Sequence, residues 1–304
     1  MLKVLHIADK KSYRYRRVLL GELLEKDDRF SYISYEDDIT DFNSFYESVK
    51  NENIDIIIVS SPKHVSLVSV TKLCENFNVV FDYSDNWMWV PHTRAFTKKS
   101  KFIGTSSLGL KNKAESVSTK NIPVNCYPNG CYMDYAYNGK SIYNNKYIYA
   151  GQIYKLDIEY LNEILKRDNA HLDIYNLYNK KISDIDNIID RKFITIYDEL
   201  DRKSLLKKME EYEGCIIAFQ DIPVCTLGML PLKFFDCMML HKPVYFHNCG
   251  ELENKDFSKV AFNLQNHELG SQRPKDSDYE KIISKYQMEK SLKNFIDDIY
   301  EAFK

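Results

Sequence analysis

Between Met229 and Val244 the chain reads MLPLKFFDCMMLHKPV, and three of those residues are spaced for chemistry. An apolar strand-like run, Cys215–Phe219, leads into a loop, and Pro231 pre-sets the backbone just before a helix. Lys233 then falls in the helix's first turn and Asp236 one turn later. A helix N-terminus presents N–H groups and partial positive charge, which suits a phosphate. Lys233 adds a full charge there, and Asp236 can accept two hydroxyl hydrogen bonds, as from a ribose. Neither side chain is expected to support the core. A plainer account also fits: Pro231 opens a helix, Lys233 is solvated, and Asp236 complements the helix dipole. Physics alone leaves both open.

Other reactive types sit at the ends of apolar runs. Asp82 and Asp85 follow a strand-like VVFDY, and a carboxylate there can serve as a general base or stabilise an oxocarbenium-like centre. Asp82 is expected to cap the strand end, which leaves Asp85 for the chemistry. Trp87 and Trp89 are the only tryptophans; their rings can stack on a sugar face or simply bury area. Gly151 ends the strand-like YIYAG, where a backbone without Cβ can approach a phosphate closely. Two runs are basic: residues 1–20 carry net +5, including Arg14, Arg16 and Arg17, and residues 94–120 carry net +6, including Arg94. They fit either an anionic acceptor or a solvated surface.

The elements that must position these residues alternate. Apolar strand runs at Val4–Ala8, Phe30–Tyr35, Ile54–Ser60, Val79–Tyr83 and Phe102–Gly104 are separated by helical spacings at Arg17–Leu24, Phe42–Val49, Val65–Cys74 and Ser107–Ser116. This implies parallel strands with crossover helices, whose ligands lie at the strands' carboxyl ends. The polar stretch NGKSIYNNK at 138–146 reads as a linker. The alternation then restarts: strands at Tyr147–Ala150, His171–Tyr175, Phe193–Ile196, Ile216–Phe219 and Val244–Phe246, helices at Ile158–Lys166, Ile182–Ile189, Arg202–Tyr212 and Leu232–Leu240. An amphipathic helix follows at Met288–Phe303. The expected fold class is α/β, with two Rossmann-like domains whose parallel sheets face a central cleft. The expected boundaries are 1–140, 141–285, and a helix at 286–304 that crosses back to the first domain.

Composition narrows the classes. The 304 residues are 44% hydrophobic and 28% charged with net charge −2, ordinary for a globular protein. No run approaches the roughly 18 apolar residues of a membrane span, and the N-terminus lacks the pattern of a signal peptide. Seven cysteines without a C-x-x-C pair imply reduced thiols in a cytosolic protein. Phosphate-loop, dinucleotide, nucleophile-elbow and H-E-x-x-H motifs are all absent. His241 and His247 read as loop packing.

The Met229–Val244 segment resembles the donor-site helix of GT-B glycosyltransferases, in the branch related to family 4 (group 1), which reads P-x-K-x-x-[E/D] followed by P-V. Pro231, Lys233, Asp236, Pro243 and Val244 carry the match. VVFDYSDNW (79–87), YPNGCYMDYAY (127–137), YIYAGQIYKLDIEYL (147–161) and ITIYDELDRKSLLKKM (194–209) resemble further family segments in the same order. The resemblance implies transfer of a sugar from a nucleotide-activated donor, held by the second domain, to an acceptor held by the first. No cofactor and no metal are implied, and transfer is expected to be retaining. Donor contacts then fall to Gly151, Lys155, Tyr197, Met229, Leu230, Pro231, Lys233 and Asp236, with Asp85 and Lys233 catalytic. Acceptor contacts fall to Arg14, Arg16, Trp87 and Arg94. The acceptor is a growing surface glycan by the family's usual role, lipid-linked or otherwise, which implies polysaccharide biosynthesis in the cytoplasm with peripheral, salt-sensitive contact at the inner membrane face. A nucleic acid with modified bases is the alternative acceptor. The sequence also departs from the pattern. Gly228 stands where the first acid of E-x7-E belongs, Gln152 replaces an Arg, and His241 replaces a small residue. These departures keep open a non-catalytic partner subunit or sugar-binding module.

Overall fold

The computed structural model describes residues 1–8, 15–35, 39, 41–62, 65–84, 90–119, 121–133, 135, 142–176, 186–226 and 228–304. They form two compact units: residues 1–129 with 288–304, and residues 130–287.

Unit 1 is a doubly wound parallel sheet. Its elements are β1 (Leu2–Ile7), α1 (Tyr15–Glu25), β2 (Phe30–Tyr35), α2 (Phe42–Asn51), β3 (Ile56–Val59), α3 (Leu67–Asn76), β4 (Asn78–Tyr83), α4 (Pro91–Lys99), β5 (Phe102–Thr105), α5 (Leu108–Val117) and β6 (Val124–Cys126), in strand order β2-β1-β3-β4-β5-β6. Every ladder is parallel. The central strand β3 is IIIV with all four residues buried, because helices cover both faces of such a sheet. Helix starts carry the expected caps: Asp41 accepts from the amides of Asn43 and Ser44, and Ser107 from that of Leu110. Helix α4 has no side-chain cap and starts instead with Pro91 in its first turn.

Unit 2 contains β7 (Lys146–Gly151), α6 (Ile158–Arg167), β8 (His171–Asn176), β9 (Ile194–Asp198), α7 (Arg202–Met209), β10 (Gly214–Ala218), α8 (Pro223–Thr226), α9 (Leu232–Met239), β11 (Val244–His247), β12 (Ala261–Asn263) and α10 (Asp276–Lys285), with sheet order β12-β11-β10-β7-β8-β9. Again all ladders are parallel. Helix α6 shows how the sequence places such a layer. Asp157 caps the Tyr160 amide, and Ile158, Leu161, Ile164 and Leu165 bury one stripe.

The last helix, α11 (Met288–Phe303), belongs to unit 1. Met288, Leu292, Phe295, Ile296 and Ile299 are its buried stripe. Phe295 rests on Gly104 of β5, with its ring 4.7 Å from that of Tyr127. Asp298 accepts from the Tyr127 hydroxyl (2.5 Å) and the Asn125 amide (3.2 Å), and Arg29 donates to Asp297 at 2.6 Å.

The strands and helices expected from the sequence are present, apart from the helix at 182–189: residues 182–185 lie outside the described residues, and 186–189 hold a turn and no helix. The structure adds α4, β6, α8, β12 and α10. The units divide at 129/130, ahead of the polar stretch at 138–146, of which 138–141 fall outside the described residues.

Candidate functional site

The site is built at the carboxyl end of β7 and the start of α9, both in unit 2. Tyr149 and Gly151 are two residues apart on β7, so the period-two alternation of a strand puts them on one face. Above that face sits Lys233, in the first turn of α9. Its ammonium lies 4.1 Å from the centroid of the Tyr149 ring and 5.6 Å from that of Phe219. The geometry is that of a cation over π-faces. A Cβ on Gly151 would collide with Lys233 Nζ and stand 2.7 Å from the Tyr149 hydroxyl, so only glycine leaves room there for the ammonium. Tyr149 is fully buried and cannot step aside.

The strongest perturbation in unit 2's cation set is at this lysine. Burial, and then the positive charge of Lys155, pull the Lys233 ammonium down to about 7. Among the described residues it has no carboxylate partner. Cys225, Cys237 and Cys249 surround it from α8, α9 and the loop after β11, all buried. Lys155 ends a single 3-10 turn, Ile153–Lys155, that follows Gly151 directly. Two lysines beside a glycine at a helix start, one of them buried without a carboxylate among the described residues: the arrangement is fitted to an anionic ligand.

The approach to α9 is shaped by backbone. Gly228 has φ +79°, in the left-handed region, which explains why glycine occupies the place of the first acid in the resembling pattern. Met229, Leu230 and Pro231 follow as a buried connection, with Pro231 at the N-cap position and no side chain capping it. At the other end of α9, His241 adopts φ +47°, the left-handed position just past a helix where Gly or Asn is usual. Its ring is held by Asp276 (2.8 Å) and Glu280 (3.2 Å) and stacks on Tyr279, consistent with the loop-packing reading.

Asp236 departs from its expectation. It is buried, and Arg202 at the start of α7 donates to its Oδ1 at 2.6 Å. The carboxylate is therefore tied into unit 2 through an ion pair, and the expectation that it carries no structural load is corrected. The two partners are 34 residues apart, so no local pattern could have shown it. Tyr197 is 43% exposed at the end of β9 and stacks on Tyr175 with ring centroids 5.0 Å apart, offering a face to a planar ligand.

In unit 1 the acceptor-side residues fall out differently. Asp85, Trp87 and Arg14 lie outside the described residues. Arg94 is exposed on α4. Arg16 was expected to contact the acceptor, yet it is only 2% exposed. It bonds the Tyr127 carbonyl (3.0 Å) and Asp82 (3.4 Å), so it ties α1 to β4 and to the segment after β6. Asp82 in turn accepts from Ser60 (2.9 Å), and Ser60 Oγ lies 2.9 Å from His6 Nε2, while His6 Nδ1 faces the Tyr32 hydroxyl at 3.3 Å. With Ser60 donating to Asp82, His6 must donate through Nε2 and accept at Nδ1, which assigns it the neutral Nε2–H form. This network was not anticipated from the sequence; a lone His inside an apolar strand was its only sign.

No protein-family model matches the sequence, and no curated protein is similar to it in sequence. The fold, by contrast, is widely shared. Sucrose-phosphate synthase from Thermosynechococcus elongatus superposes with a TM-score of 0.71 at 10% identity, covering 100% of this chain and 99% of that one. The lipopolysaccharide outer core galactosyltransferase WaaB gives 0.66 at 12% identity over 99% of each chain. The T4 phage β-glucosyltransferase, solved in complex with its UDP-glucose substrate, gives 0.57 at 10% identity, also over 99% of each. The fold defines the class: the chain has the GT-B architecture of glycosyltransferases. Two Rossmann-like sheets of six parallel strands each, wound as described above, carry that architecture among the described residues.

Proposed function

We propose that the protein is a glycosyltransferase that takes a nucleotide-sugar donor on unit 2 and passes the sugar to an acceptor, metal-independently and with retention. The observation that carries the reading is the ammonium of Lys233, without a carboxylate partner among the described residues, set over the rings of Tyr149 and Phe219 and against the backbone of Gly151. A diphosphate placed there gains Lys233, Lys155 and the amides leading into α9. Because the leaving nucleotide gains negative charge as the glycosidic bond breaks, Lys233 stabilises the transition state more than the ground state. Tyr197 offers its ring to the base. Among the solved relatives of the fold, several hold UDP or UDP-glucose, which makes uridine nucleotides the first probes.

A panel of UDP, GDP, ADP and CMP, each with and without an attached sugar, tests the donor reading by thermal shift. One nucleotide class is expected to raise the apparent melting temperature at millimolar levels, since ligand binding to the native state stabilises it. Flat melting curves throughout the panel would remove the reading.

Gly151→Ala supplies a sharper check. Its Cβ displaces Lys233 from the ring of Tyr149, and losing a charged hydrogen bond of about 1.5–3 kcal/mol should weaken nucleotide binding roughly 10- to 150-fold. Calorimetric titration of the variant reads this directly; affinity equal to that of the unaltered protein would place the diphosphate elsewhere.

The acceptor we propose is a growing surface glycan, a setting that fits a cytoplasmic enzyme working at the inner membrane face. Among the described residues no helix is long and apolar enough to cross a membrane. A second acceptor, DNA, is supported by the likeness to the T4 phage enzyme described as DNA-modifying. Donor consumption in the presence of lipid-linked oligosaccharide or of DNA, with and without modified bases, separates the two. A third reading, nucleotide binding without transfer, draws on Gly228 in place of an acid; it predicts stabilisation by nucleotide with no turnover on any acceptor.

A further inference from the structure

The cage around Lys233 is short of negative charge from every side. From β7 it receives the ring of Tyr149, and from the residue after β10 the ring of Phe219. Helix α8 contributes Cys225, α9 itself Cys237, and the loop after β11 Cys249. Burial raises all three thiols and the Tyr149 phenol, so none is an anion near neutrality. The charged group nearest to it in effect is another cation, Lys155. Asp236, one turn along the same helix, is engaged by Arg202. An ammonium in such a place holds its proton weakly until an anion arrives.

Resting on the donor-site reading above, we propose that Lys233 binds the donor diphosphate with uptake of a proton, so that nucleotide-sugar affinity falls as pH rises through neutrality. The sign follows from the two states. In the free protein Lys233 titrates at about 7, from burial and Lys155. Beside a diphosphate its proton is held more tightly, so the complex carries more protons than the free components over the window above 7. Binding is then strongest below that window and weakens by a factor approaching ten for each further pH unit. Such a site releases its spent nucleotide more readily as the pH rises.

The experiment is calorimetric titration with UDP-glucose from pH 6 to pH 9, each pH in two buffers of different ionisation enthalpy. Both phosphates of UDP-glucose are esterified, so its charge is constant over this range, unlike the terminal phosphate of free UDP, which titrates near 6. Wild-type protein is expected to take up close to one proton per donor at pH 8, and its affinity to fall about tenfold between pH 6 and pH 8. Lys233→Arg keeps its charge throughout, so its affinity is expected to be independent of pH with no proton uptake. Lys233→Met should bind weakly and equally flatly. Tight wild-type binding with no buffer-dependent heat and equal affinity at pH 6 and pH 8.5 would overturn the proposal while leaving the donor site intact. No binding by UDP-glucose, GDP-mannose or ADP-glucose at pH 6, where Lys233 is charged, would overturn the donor-site reading and the linkage with it.

Discussion

Asp82→Ala is expected to destabilise the protein by about 3–5 kcal/mol, the range for removing one partner of a buried ion pair. The reason is the guanidinium left behind. Arg16 is 2% exposed, and Asp82 is the carboxylate that faces it in the structure. The same carboxylate also takes the Ser60 hydroxyl, whose loss leaves a second buried donor unmatched. Against a usual total of about 5–15 kcal/mol, this is enough to make unit 1 marginal at room temperature. Asp82→Asn keeps an acceptor for Ser60 and should lose less. Urea unfolding of both variants, read at neutral pH, checks the claim; a loss below about 1 kcal/mol for the alanine variant would show that the pair contributes no net stability.

The second large effect is one of pH. Burial holds the His6 imidazole down at about 4, against 6.5 in an unfolded chain, with Asp82 acting the other way. Above pH 6.5 the ring is neutral in both states and makes no difference. As pH falls from 6.5 to 4 the unfolded chain takes up a proton that the folded one refuses, so stability drops by about 1.4 kcal/mol per unit, about 2–3 kcal/mol in all by pH 4.5. Equilibrium unfolding at pH 7 and pH 4.5 for wild type and His6→Gln isolates this contribution from that of other groups. The glutamine keeps hydrogen-bonding partners for Ser60 and Tyr32 yet does not titrate, so its acid loss should be smaller by that amount. Equal losses in both proteins would mean that His6 is protonated in the folded state.

Much of the architecture was legible because parallel sheets leave a simple trace. The run IIIV at β3 can only be comfortable where both faces are covered, and the Met288–Phe303 stripe repeats at helical spacing. Helix α4 was not legible: PHTRAFTKK buries only Thr93, Phe96 and Thr97, too few apolar residues to mark a face. Strand β6 has three residues, below the length at which alternation means anything. The unit boundary escaped for a related reason. Turn-forming composition marks residues 138–146, whereas the division at 129/130 is set by which segments pack together.

The candidate site divides along the same line. Pro231 and Lys233 were readable from spacing along one helix, and Gly151 from its place at a strand end. Tyr149 beneath Lys233 follows from strand alternation once Gly151 is chosen. What could not be read was pairing over distance. Arg202 and Asp236 meet across two helices, and Arg16, one of six cations in the first twenty residues, looks solvated until the fold buries it.

The placement of α11 has a consequence for synthesis on the ribosome. Unit 1 is encoded in two pieces, residues 1–129 and 288–304, with all of residues 130–287 between them. At about 5–20 residues per second, the first piece waits roughly 8–30 s for the helix that covers Phe102, Gly104 and Tyr127. During that interval the nascent chain exposes an aromatic strip beside β6, an edge strand of its sheet. Unit 2 is contiguous in the message, and its last helix, α10, ends at Lys285, just before α11 begins, so the two units are completed almost together. Completion of the first unit thus waits on nearly the whole of translation, and the exposed edge during the wait is where a nascent-chain chaperone would act.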